Sequence, residues 1–87
     1  MVTRTAAAEW RGSLKEGDGS VRLGSGAFEG RYSFGSRFEQ ATGTNPEELL
    51  GAAHAACFAM ALSLVLGDAG LTPRRVSTTA AVDIRLD

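Results

Sequence analysis

Short alternations of apolar and polar residues, separated by glycines, occupy the first half of the chain. A period of two is typical of strands, whose successive side chains point to opposite faces. Three segments show it, with the following apolar positions: Ala6, Ala8 and Trp10; Val21 and Leu23; and Phe28, Tyr32 and Phe34. Between the first two, residues 15–19 predict a turn, with Asp18-Gly19 as a hairpin signal. The pattern therefore predicts an antiparallel β-meander.

A long apolar segment follows, and its flanking residues predict one helix from Pro46 to about Asp68. Asn45 can cap the free backbone N–H groups, proline is favoured at the first helical position, and acidic residues in the first turn suit the helix dipole. At the far end, Gly70 can take the left-handed conformation that ends a helix. The helix is apolar nearly all round, which predicts burial on several sides. We expect its covering partner to come from sequence outside this chain, from a second subunit, or from both.

The final stretch, residues 75–87, again alternates with a period of two and predicts a half-buried strand. The sequence stops inside this strand with no returning element, so we expect the front part of a longer chain. The predicted fold class is α+β: an N-terminal antiparallel β-meander, a long buried central helix and a following strand. All 87 residues are expected to form a single domain that lacks its C-terminal part.

Composition narrows the functional classes. Nine basic and ten acidic residues give a net charge of -1, and without a cluster of Lys and Arg a nucleic-acid partner is not expected. The N-terminus lacks the long apolar core of a secretory signal. The run 49–66 has the length of a membrane span, but His54 within it and acidic flanks argue against one. A single cysteine suits a reducing compartment, so we expect a cytoplasmic protein.

Cys57 and His54 lie three residues apart, on one face of the predicted helix. A Cys-His nucleophile pair is one interpretation. The other is an inert cysteine and a packed histidine, because a cysteine in mid-helix gains little from the positive charge at the helix N-terminus. Two such residues are too few for a zinc site, so no metal or other cofactor is predicted. By composition alone, Arg37 is a loop arginine and Glu47 a helix N-terminal acid.

The segment SRFEQATGTNPEELLGAAHAACFAMALSLVLGDAGLTP, and above all its block TNPEELLGAAHAACF, resembles the OsmC branch of the OsmC/Ohr family, the osmotically inducible proteins. The resemblance runs from the AEWRG strand to the last predicted strand. It implies a thiol-dependent peroxidase of oxidative and osmotic stress defence, which reduces organic hydroperoxides and, to a varying degree, hydrogen peroxide without metal or haem. It also implies an intertwined homodimer with its sites at the subunit interface.

The resemblance also assigns roles to three residues: Cys57 is the peroxidatic cysteine, and Arg37 and Glu47 are catalytic. The thiolate attacks a peroxide oxygen, giving a sulfenic acid and an alcohol or water. Arg37 is expected to stabilise the thiolate and orient the peroxide, while Glu47 holds the guanidinium through charge-assisted hydrogen bonds. Phe38 and Phe58 are apolar neighbours that could favour organic peroxides.

Family members carry a resolving cysteine, in a Cys-Pro motif, on a second helix. This sequence has one cysteine. An external thiol is therefore expected to reduce the sulfenic acid, since otherwise the cysteine over-oxidises. In the family that reductant is a dithiol, often of the lipoyl type.

Spacing adds an inference that does not depend on the resemblance. Glu47 and Cys57 are ten residues apart on one predicted helix, which is roughly 15 Å along its axis. A site that uses both must therefore take one from each subunit, with two such helices antiparallel across a two-fold axis. Two other functions stay open: a dimerisation scaffold in which Cys57 is inert, and a module that binds a hydrophobic ligand in the interface cleft.

Overall fold

The computed structural model describes residues 1–86, which form three strands and two helices. The strands are β1 (Ala6–Arg11), β2 (Asp18–Leu23) and β3 (Glu29–Tyr32), and the helices are α1 (Phe34–Phe38) and α2 (Pro46–Asp68). The chain divides into two compact units, one ending at Pro46 and the other beginning at Glu47. The α+β class is confirmed.

The first unit contains the predicted meander. The three strands form one antiparallel sheet in the order β1-β2-β3. In its register Gly19 lies opposite Trp10 on one side and opposite Tyr32 on the other. The two rings meet over this glycine, with centroids 5.3 Å apart. A Cβ at Gly19 would lie 2.7 Å from the Glu9 carbonyl oxygen and from both rings, so only glycine fits between them.

Two details of the predicted meander are wrong. Asp18-Gly19 is not the hairpin turn but the start of β2, because Gly19 is needed in the sheet beneath the two rings. The turn lies earlier, where the Gly17 N–H donates to the Ser13 carbonyl at 2.8 Å. Phe34 does not extend β3 but begins α1. Ser33 stops the strand because it caps that helix, with its side chain accepting from the Ser36 N–H.

Helix α2 has the predicted bounds and the predicted type of C-terminus. Gly70 takes a φ of 84°. Its N–H donates to the Gly67 carbonyl, and the Leu71 N–H donates to the Leu66 carbonyl, both at 2.9 Å. These two bonds form a Schellman motif, which satisfies carbonyls that the helix end would otherwise leave unpaired.

Within the single chain α2 is largely exposed, and its predicted burial by a second subunit or by further sequence stays a prediction. Among the described residues of the helix only Gly51 is buried. Half-buried positions recur every three or four residues after it, on one narrow stripe: Ala55, Ala59, Ser63 and Leu66. Large apolar side chains elsewhere on the helix are exposed, Leu50 by 63% and Met60 by 77%. The apolar surface surrounds the helix, whereas the described part of the chain covers only this stripe.

The predicted final strand is also wrong, since the described residues 71–86 form no strand. The physical reason is that a strand needs a neighbouring backbone for its ladder, and none pairs with this stretch. The alternation of the sequence is still seen in the burial of this stretch, because Val76, Thr78 and Ala80 are half-buried between exposed neighbours. The stretch lies along α2 instead, where the Thr78 hydroxyl donates to the Ala55 carbonyl at 2.7 Å. Asp87, the last residue of the pattern, lies outside the described residues.

By length and composition α2 could cross a membrane, and a core helix of a soluble protein meets the same criteria.

Replacing Gly19 with alanine is expected to destabilise the fold by about 1–3 kcal/mol, because the new methyl group would collide with backbone as well as with two rings. The matched control is Gly67→Ala in α2, where a Cβ would meet no atom within 4 Å. There the gain in helix propensity should stabilise by up to about 1 kcal/mol. Urea unfolding followed by circular dichroism measures both. Equal effects of the two substitutions would contradict the packing described over Gly19.

Candidate active site

Arg37 lies in α1, a helix of five residues that follows the last strand of the sheet. Its backbone N–H donates to the Ser33 carbonyl at 3.1 Å. The guanidinium carbon is 5.2 Å from the centroid of the Phe38 ring, within the range of a cation–π contact. The residue is half-buried, and its charged group lies over aromatic carbon.

Arg37 forms part of the wall of a cavity of about 190 Å³, here called the aromatic pocket. Aromatic rings supply most of its lining, and the Phe34 and Phe38 centroids are 4.9 Å apart. A cavity of about 150 Å³ lined by apolar residues is large enough for benzene. The pocket can therefore take one ring or a short branched alkyl group. Its full lining is Trp10, Leu14, Tyr32, Ser33, Phe34, Arg37 and Phe38.

Two polar features mark the aromatic pocket as more than a gap in packing. The Arg37 guanidinium offers hydrogen-bond donors to a polar group on a bound molecule. The Lys15 ammonium lies 5.9 Å from the Phe34 centroid, so a second cation stands near the same rings. An apolar body with an oxygen-bearing head fits this combination of aromatic surface and positive charge.

Cys57 lies in the middle of α2 with a free and exposed thiol. His54, one turn earlier, is also exposed. In the described residues no hydrogen bond joins either side chain to another side chain, so the structure does not form the Cys-His pair that the spacing left open. His54 instead lines an open groove of about 430 Å³ with Ala55, Phe58 and residues 78–81.

Glu47 lies in the first turn of α2, and the helix continues without a break to Asp68. Glu47 and Cys57 are therefore separated by ten residues of regular helix, roughly 15 Å of axial rise. One copy of the helix does not bring these two side chains to one site. Within residues 1–86 no three His, Cys, Asp or Glu side chains come together as metal ligands do.

A cluster of polar groups beside Arg37 was not predicted. The buried Ser36 hydroxyl donates to the Thr44 carbonyl at 2.7 Å and accepts from the Ser33 N–H at 2.8 Å. The Asn45 side-chain amide donates to the Ser36 carbonyl at 3.1 Å. The spacing of Ser33 and Ser36 is that of a capping box and could have revealed α1. The contact with Thr44 has no sequence signal, because it joins residues across a loop.

Comparison with known proteins identifies relatives of this chain. Residues 39–87 match the family model described as OsmC-like protein. Two curated proteins, both named Peroxiredoxin OsmC, are 53% identical to the chain over 87 residues; one is from Escherichia coli (strain K12) and the other from Shigella flexneri. Each alignment covers 99% of this chain and 59% of the relative, so the chain spans about three fifths of their length.

Proposed function

This chain belongs to the OsmC-like protein family, and from that premise we propose that it forms part of a thiol-dependent peroxidase that reduces organic hydroperoxides through Cys57. The observation that carries the proposal is the 53% identity to proteins named peroxiredoxins over nearly the whole chain. The 87 residues contain one cysteine, and its thiol is exposed. Cys57 is therefore the candidate nucleophile that this chain supplies.

The reaction proposed at Cys57 is a two-electron transfer. The thiolate sulfur attacks one oxygen of the hydroperoxide, a sulfur–oxygen bond forms, and the oxygen–oxygen bond breaks. The other oxygen leaves with the organic group, takes a proton and becomes an alcohol, while the cysteine becomes a sulfenic acid. A dithiol of the lipoyl type then attacks the sulfenic sulfur and releases water, and its second thiol closes the dithiol to a disulfide and frees Cys57.

Arg37 is proposed to stabilise the thiolate and orient the peroxide, with Glu47 holding the guanidinium. A guanidinium suits this role because the group is planar, always charged and rich in hydrogen-bond donors. A carboxylate can bind it with two parallel hydrogen bonds. The aromatic pocket supports an organic substrate rather than a small polar one. Its rings can hold the apolar body of the molecule while the guanidinium in its wall faces the hydroperoxide group.

The geometry of α2 supports a homodimer. The helix is apolar around its circumference and largely exposed, and it keeps Glu47 and Cys57 almost three turns apart. Two antiparallel copies would cover each other and bring Glu47 of one subunit to Cys57 of the other. We further propose that residues 1–87 belong to a single OsmC-like domain of a cytoplasmic enzyme of oxidative and osmotic stress defence.

Sulfenylation of Cys57 tests the catalytic assignment directly. A stoichiometric amount of tert-butyl hydroperoxide, added with a sulfenic-acid trap, should produce a single adduct on Cys57 in the intact mass. Arg37→Ala should slow adduct formation by about a hundredfold and Glu47→Ala by about tenfold, because each removes charge that is positioned around the reacting atoms. A folded dimer that forms no adduct would show a dimerisation scaffold with an inert cysteine instead.

Mixing a variant without the thiol with a variant of reduced reactivity tests whether the site is shared between subunits. Cys57→Ser and Glu47→Ala chains are unfolded together, refolded and treated with hydroperoxide and trap. If the site is shared, each mixed dimer has one Cys57 opposite an intact Glu47. That thiol should react at the rate of the unmodified chain, and such thiols should make up about half of the total or fewer. The control is refolding of each variant alone. A mixture that reacts no faster than Glu47→Ala alone would overturn the shared site.

Binding to the aromatic pocket can be measured without any catalysis. Trp10, the one tryptophan, lines the pocket, so its fluorescence should change as 2-phenyl-2-propanol, the alcohol product of an aryl hydroperoxide, is added. Phe38→Ala should weaken this response at least about tenfold through loss of aromatic contact. The matched control, Phe58→Ala, changes a ring on α2 that does not line the pocket. Equal weakening by both substitutions would count against binding at this pocket.

A further inference from the structure

The position of Arg37 depends on contacts outside its own helix. Helix α1 has five residues, and a helix of that length is not stable by itself in water, because nucleation costs more than one turn of hydrogen bonds returns. Something must therefore hold this turn in place. The described contacts around it show what does so.

Ser36 connects the start of α1 to the loop at Thr44. At the start of the helix, the Ser36 N–H donates to the Ser33 hydroxyl at 3.1 Å and the Ser33 N–H donates to the Ser36 hydroxyl at 2.8 Å. These two bonds form a reciprocal capping box. On its other side, the same Ser36 hydroxyl donates to the Thr44 carbonyl at 2.7 Å.

Thr44 is itself fixed to the sheet. Its N–H donates to the Arg31 carbonyl at 2.9 Å, and it forms a parallel bridge with Tyr32 at the end of β3. Gly43 allows the loop to pass close to Ser36. Its φ is 131°, and a Cβ there would lie 3.2 Å from the Ser36 Cβ. The Ser36 hydroxyl thus connects the turn that carries Arg37 to a loop that is anchored on β3.

We infer that Ser36 is a positioning residue for Arg37: its hydroxyl, held between Ser33 and Thr44, sets the place and orientation of α1 and with them those of the guanidinium. The inference rests on the proposed role of Arg37 at the peroxidatic cysteine. Ser36 is buried and adjoins Arg37 in the chain, so it acts through the arginine and not on the substrate. No exposed serine of this unit could act in the same way without such a pair of contacts.

A double-mutant cycle in the full chain tests this. The rate of Cys57 sulfenylation by tert-butyl hydroperoxide is measured for Ser36→Ala, Arg37→Ala and the double variant, with thermal unfolding measured alongside. Ser36→Ala should slow the reaction by about ten- to a hundredfold, the cost of displacing a reacting or orienting group by about 1 Å or less. In the Arg37→Ala background the same change should slow it less than twofold, since the residue through which it acts is gone.

The matched control is Ser25→Ala. Its hydroxyl also accepts a backbone N–H, that of Ala27 at 3.2 Å, but it lies in an exposed turn away from α1. In each background this variant should react at the same rate as the chain without the Ser25 change. If Ser36→Ala does not fold, Gly43→Ala replaces it in the cycle, because a Cβ there would lie 3.2 Å from the Ser36 Cβ and would displace the loop that accepts the Ser36 hydroxyl.

The outcomes distinguish a failure of the positioning role of Ser36 from a failure of the proposed peroxidase function. A normal rate in Ser36→Ala, or the same slowing with and without Arg37, overturns the positioning role while leaving the peroxidase proposal intact. A lower melting temperature with an unchanged rate assigns Ser36 to stability alone and also overturns it. If Arg37→Ala itself reacts at the normal rate, the proposed role of the arginine fails, and the positioning inference fails with it.

Discussion

The apolar circumference of α2 is the constraint on which the rest of the structure depends. A helix in water is stable when one polar face remains exposed, and this one has no such face over most of its length. The described residues cover only a stripe that begins at Gly51, where the final stretch lies against the helix. Large side chains such as Leu50 and Met60 remain exposed. Apolar area of this kind drives association, and the second subunit that we propose would cover it.

The same helix limits how a catalytic site can be built. A rigid rise of 1.5 Å per residue holds Glu47 and Cys57 apart, so they can cooperate only through a second copy of the helix. In the proposed dimer, one contact between subunits would both cover apolar surface and assemble the site. An interface excludes water, and it would therefore strengthen the interaction of a Cys57 thiolate with a guanidinium.

Arg37 illustrates the opposite situation. This proposed catalytic side chain lies on a helix that is too short to be stable by itself. Its turn is kept in place by serine hydroxyls and by a loop tied to β3. The aromatic pocket depends on this arrangement as well, because Phe34 and Phe38 belong to the same turn. A few hydrogen bonds, each worth about 1 kcal/mol in net stability, thus determine the geometry of both the charge and the pocket.

The sequence by itself determined the elements whose signals are local. The three strands, the start of α2 at Pro46 and its end at Gly70 follow from alternation, helix-start residues and glycine, each read within a few neighbouring residues. The motif around Cys57 was enough for the family, and the spacing of Glu47 and Cys57 was enough to show that one helix does not bring both side chains to one site. Tertiary structure alone decided what depends on partners distant in the chain. Gly19 belongs to β2 because two rings from other strands lie over it, residues 71–86 form no strand because no backbone pairs with them, and Ser36 meets Thr44 because a loop returns to β3. Such contacts produce no periodic pattern in the sequence, because each joins residues that come together only when the chain folds.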